Sequence, residues 1–79
     1  MGNIRFFRGL AYYYNNNYNA ATEDFEFAAD QNCNKDRCFY YIGMIALDKG
    51  IYDLACKYLK LAILNGNDEA GKYLPKDCK

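Results

Sequence analysis

Four cysteines, Cys33, Cys38, Cys56 and Cys78, are the residues with the most chemistry open to them in this 79-residue chain. Thiolates bind soft metals, pair as disulfides or attack electrophiles. Cys33 and Cys38 stand five apart around an expected helix start, which superficially suggests a metal site. Zinc asks for paired short Cys or His spacings, however, and the chain has no histidine. Its absence also removes the commonest general base. The default is therefore reduced thiols, with Cys38 and Cys56 as small apolar residues on the core side of their helices and a disulfide as the lesser alternative. Carboxylates and tyrosine hydroxyls are plentiful, but no nucleophile stands with a base, and no glycine-rich phosphate loop is present. The chain reads as a non-enzyme without cofactor or metal.

Composition narrows the remaining classes. Ten basic and ten acidic residues cancel to zero, which removes the electrostatic argument for nucleic acid or an anionic membrane surface. No segment reaches the roughly 20 apolar residues that span a bilayer, and no secretory signal opens the chain, so the cytoplasm is the expected compartment. Hydrophobic residues make up 52% and aromatic residues 18%, enough for one folded domain over residues 1–79. Against that background, RGLAYYYNNNYNAA at residues 8–21 reads as a helix end, a turn and the next helix, not as a low-complexity tract.

The reason is a register. Sliding the chain by 34 residues superimposes Gly9 on Gly43, Tyr18 on Tyr52, Ala21 on Ala55 and Ala28 on Ala62. Phe6 falls on Tyr40, Phe7 on Tyr41, Leu10 on Met44 and Phe25 on Leu59. Small residues recurring in this way let two antiparallel helices approach closely, with Phe25 and Leu59 filling the space between the alanines. The pattern predicts helices over roughly 3–15, 18–31, 35–48 and 52–65, a short helix near 68–74, and no strand. Asn16-Asn17 and Lys49-Gly50 supply the turns, and Asn34 or Asp36, then Asn67 or Asp68, the caps. The expected fold is all-α: two antiparallel helical hairpins, an α-α superhelix, plus a short C-terminal capping helix.

These residues resemble the tetratricopeptide repeat (TPR), whose 34-residue pattern W-x2-L-G-x2-Y…A-x3-F reads here as Arg5-x2-Arg8-Gly9-x2-Tyr12…Ala21-x3-Phe25. The second copy reads Phe39-x2-Ile42-Gly43-x2-Ala46…Ala55-x3-Leu59. Repeat 1 would cover about 2–35, repeat 2 about 36–69, and a capping segment 68–79. Arg5 and Arg8 depart from the pattern by standing in large apolar slots. The tail LAILNGNDEAGKYL is also similar to Sel1-like repeats, the second choice.

The resemblance implies a groove on the first helix of each hairpin that binds a protein or peptide. Its residues would be Phe6, Leu10, Tyr13, Tyr14, Arg37, Tyr40, Met44 and Leu47, with Asn3 and Asp48 beside them. One TPR subclass grips a C-terminal carboxylate there with basic residues. The corresponding slots hold Phe6, Leu10 and Tyr41, so an apolar or aromatic partner fits better. Two copies are fewer than the three or so an independent solenoid needs. The alternatives are therefore a structural self-association module, such as a homodimer, or a fragment of a longer solenoid. The acidic residues Glu23, Asp24, Glu26 and Asp30 read as a solvated helix face.

Overall fold

The computed structural model describes residues 2–76 and 78; residues 77 and 79 of the expected capping segment lie outside it. Five helices follow one another: α1 (Gly2–Tyr14), α2 (Tyr18–Asp30), α3 (Lys35–Asp48), α4 (Tyr52–Leu64) and α5 (Glu69–Tyr73). Each packs on the next, giving the α1–α2 hairpin, the α3–α4 hairpin stacked on it through α2 and α3, and α5 as a cap on α4.

What ends the four long helices is one device used four times. Residues 16, 32, 50 and 66 adopt left-handed backbone, as Asn16 (φ 64°), Asn32 (φ 57°), Gly50 (φ 77°) and Gly66 (φ 99°). At each, the amide one residue further on donates back to a carbonyl of the last turn: Asn17 to Tyr12 (2.8 Å), Cys33 to Ala28, Ile51 to Ala46 and Asn67 to Ala62 (each 2.9 Å). These bonds satisfy carbonyls that a helix end would otherwise leave unpaired. Donors and acceptors of the first hairpin and of the second differ by 34. Asn67 also caps α5, its Oδ1 accepting from the Ala70 amide at 3.2 Å.

The same register governs the core. A Cβ on Gly9 would meet the Phe25 ring at 2.9 Å, and one on Gly43 would meet Leu59 Cγ at 2.7 Å. Each glycine is thus the seat for the bulky residue of the partner helix, between Ala21 and Ala28 in one hairpin and Ala55 and Ala62 in the other. All six of those packing residues are fully buried. The seating is what lets the helices of a hairpin come this close.

Asp24, Cys56 and Cys78 are three of the positions that differ from the sequence reading. Asp24 is not on a solvated face: it is 1% exposed and faces α1. There it accepts from both arginines that departed from the expected pattern. Arg8 forms a two-pronged pair with it, Nε to Oδ2 and Nη2 to Oδ1, each 2.8 Å, and Arg5 Nη1 donates to Oδ1 at 3.0 Å. The Arg5 guanidinium also lies 4.3 Å from the centre of the Phe27 ring. The hydrogen bonds to Asp24 raise the already high Arg8 pKa, so the guanidinium keeps its charge. In the second hairpin the same three places hold Phe39, Ile42 and Tyr58, with the Phe39 and Tyr58 rings 5.8 Å apart.

The second and third differences concern the thiols. Cys56 and Cys78 are joined as a disulfide, with Cα atoms 5.7 Å apart, where reduced thiols were expected. α5 begins at Glu69, the place 34 after the start of α3, but lasts only 5 residues. Leu74 is extended ahead of Pro75, whose ring disfavours helix in the preceding residue. The tail then turns back, and Pro75 lies beside Tyr52, Asp53 and Cys56 on α4. The sulfur bridge ties Cys78 to α4 at Cys56. Cys33 and Cys38 are free thiols; burial pushes the Cys38 thiol up to about 12, leaving it protonated and inert.

Candidate functional site

An aromatic chain links the odd-numbered helices. Phe6 of α1 lies 5.9 Å from Phe25 of α2, which stacks on Tyr41 of α3 at 5.3 Å. Tyr41 in turn contacts Tyr13 of α1 (5.0 Å) and Tyr40 (5.1 Å), and Tyr40 meets Tyr73 of α5 at 6.1 Å. Rings that close and mutually tilted or offset gain energy beyond the area they bury. They also fix one another's orientation, so the visible edge of the chain is a preformed surface.

The residues expected to line a groove divide along this chain. Leu10, Tyr13, Tyr40, Met44 and Leu47 are half-buried, with Tyr40, Met44 and Leu47 on one face of α3 at i, i+4 and i+7. Tyr14 and Arg37 are exposed, as are Asn3 and Asp48. Phe6 is a correction: at 0% exposure it is a core residue, and no partner can reach it. Its neighbour Phe7, 62% exposed, was not among the expected residues. Two aromatics in succession on a helix point about 100° apart, and spacing alone left open which of them turned inward.

Burial also changes the tyrosines themselves. Tyr13 and Tyr40 have raised pKa values, chiefly from desolvation, and Tyr41 is pushed up to about 12, first by burial and then by the Tyr14 hydroxyl nearby. Their hydroxyls therefore remain neutral donors. The linkage sign follows: a free tyrosine ionises near ~10, so between there and about 12 the unfolded chain releases protons that the folded chain retains. Stability is complete below pH ~10 and falls as pH rises through that window. Absorbance at 295 nm and far-ultraviolet circular dichroism, followed together in an alkaline titration, are expected to show a delayed tyrosine phase coincident with helix loss. One uniform step of all nine tyrosines with helicity intact would contradict the packing.

Sequence reading missed a second depression, a cleft of about 360 Å³ between α2 and the α3–α4 hairpin. Ile42, Ala46 and Leu54 form apolar wall, Glu23 and Lys49 stand at the rim, and Lys49 Nζ donates to Asn19 Oδ1 at 2.9 Å. Its only trace in the sequence is the apolar pair Ile51 and Leu54 flanking the start of α4 where polar residues are usual.

Fold and site together define a class: an all-α stack of two helical hairpins and a cap, with an ordered tyrosine-rich face and no helix among the described residues long and apolar enough to cross a membrane. No family model, curated protein or solved structure matches the chain.

Proposed function

We propose that the chain is a TPR-like interaction module that holds an apolar or aromatic segment of another protein against the α1/α3/α5 face. The observation that carries this reading is the half-buried row Leu10, Tyr13, Tyr40, Met44 and Leu47, whose two tyrosines are held by ring contacts with Tyr41. Side chains already fixed in orientation lose little entropy when a partner covers them, which favours binding. Tyrosine adds a neutral hydroxyl for hydrogen bonding at the rim of an apolar contact. Arg37 and Asp48, near opposite ends of α3, bracket the row with opposite charges and would orient the bound segment. The mechanism is burial and positioning, with no chemical step.

Selection of a displayed library of 12-residue peptides on the immobilised chain tests this. Enriched peptides are expected to carry aromatic and aliphatic residues, and Tyr40→Ala or Met44→Ala is expected to weaken them at least tenfold without loss of helicity. Absence of enrichment, or peptides indifferent to both substitutions, would sink the reading.

A further inference from the structure

α5 is too short to hold itself in place. Its 5 residues fall well below the ~12–15 that a helix needs to persist on its own. Ala70 is its one buried residue, and it brings only a methyl group to the cluster of Ala46, Ala55, Leu59 and Ala62. Tyr73 adds the ring contact with Tyr40, and half-buried Leu74 packs against the same cluster. Two ties make up the difference. On one side the turn at Gly66 joins α5 directly to α4. On the other, the Cys56–Cys78 bridge returns the chain to α4, its cysteines 22 residues apart. A segment tied at both ends has far fewer ways to leave its place than one with a loose end.

We propose that this bridge is a redox latch on α5 and, through Tyr73, on the tyrosine face. Closed, it keeps Tyr73 against Tyr40; opened by a dithiol reductant, it frees α5 and the tail. Cys56 and Cys78 are half-buried and not enclosed. A depression of about 240 Å³ beside Cys56, bounded by Tyr52, Asp53 and Pro75, gives a small dithiol room to approach. One thiolate of the reductant attacks a bridge sulfur and forms a mixed disulfide, while the other bridge sulfur leaves as thiolate. The reductant's second thiolate then displaces the sulfur that was attacked. The reductant departs as a cyclic disulfide, and its two electrons and two protons remain on Cys56 and Cys78. The free thiols stand apart from this exchange: Cys38 is fully buried, and Cys33 donates to Asn3 Oδ1 at 2.6 Å. Loss of Tyr73 takes one ring neighbour from Tyr40 and leaves it with Tyr41. What this does to a bound segment rests on the peptide reading of that face; the release of α5 does not.

Hydrogen exchange followed by nuclear magnetic resonance, on the oxidised chain and on the same chain in excess dithiothreitol, tests the latch. The Ala70 and Gly71 amides, which donate to Asn67 Oδ1 and to the Asp68 carbonyl, are expected to exchange at least tenfold faster after reduction. The cross-peak between the Tyr40 and Tyr73 rings is expected to vanish, while amides of α1 and α2 change less than twofold. Cys78→Ser without reductant is expected to match the reduced chain, and Cys33→Ser to match the oxidised parent. Removing the reductant and reoxidising is expected to restore slow exchange. Amides of α5 indifferent to reduction, acceleration of all helices alike, or Cys78→Ser behaving as the oxidised chain overturns the latch. Peptides enriched on the oxidised chain are expected to bind the reduced chain at least threefold more weakly; equal affinity overturns the consequence for the face. Because exchange needs no peptide, the latch and the peptide reading fail separately.

Discussion

Phe6→Ala is expected to cost ~3–5 kcal/mol of folding stability, the range for emptying a fully buried aromatic site. A domain of this length has only about 4–12 kcal/mol in total, so much of the chain would be unfolded at 37 °C. The ring sits between α1 and α2 against Phe25, which in turn supports Tyr41. A cavity there undermines both the first hairpin and the floor of the tyrosine face. Phe7→Ala, one residue away, is expected to cost less than ~1 kcal/mol, because it gives up little beyond an edge contact with Phe6 at 5.4 Å. Urea denaturation followed by circular dichroism compares them directly. Equal losses would mean that the inward and outward faces of α1 are assigned wrongly.

Arg5→Ala/Arg8→Ala carries the other large effect. It strands the Asp24 carboxylate, 1% exposed, without the partners that make its burial tolerable. Removing the partners of a buried charge costs ~3–5 kcal/mol; the lower end applies because water can enter where the part-exposed arginines stood. The second hairpin shows the remedy. Arg5→Phe/Arg8→Ile/Asp24→Tyr writes its Phe39, Ile42 and Tyr58 into the first hairpin. Apolar replacement of a complete buried ionic set is often neutral or stabilising, so the triple variant is expected to unfold within ~1 kcal/mol of the parent or above it. Thermal midpoints would decide: a triple variant as weak as the double one would show that the two hairpins do not pack alike at these three places.

That comparison also explains how far the amino-acid sequence could be read. The helices and their ends were legible because glycine, asparagine and alanine recur at a fixed interval, and each has a backbone or steric task there. Arg5, Arg8 and Asp24 looked like three separate matters, two departures and one solvated acid. Charged residues on a helix are usually solvated, and nothing within α1 or α2 alone joins them. The signal was present only in combination: all three change together to apolar or aromatic residues 34 positions on. Phe6 and Phe7 could not be ordered because each is aromatic and a small error in helix phase exchanges them. The Cys56–Cys78 bridge was illegible for another reason. It depends on Pro75 turning the tail back over α4, a path without periodicity. The resemblance named Tyr40, Met44 and Leu47 together, and helical spacing at i, i+4 and i+7 puts them on one half-buried face of α3.

The two hairpins, then, fill one geometry with unlike materials, and unlike materials respond to temperature for different reasons. Dehydrating charges becomes less costly as temperature rises, which favours the Arg5–Arg8–Asp24 set of the first hairpin. Burial of apolar surface loses strength on cooling, which works against Phe39, Ile42 and Tyr58 in the second. Both contributions therefore gain with warming and fade with cooling, through the hydration of charge in one hairpin and the hydration of apolar surface in the other.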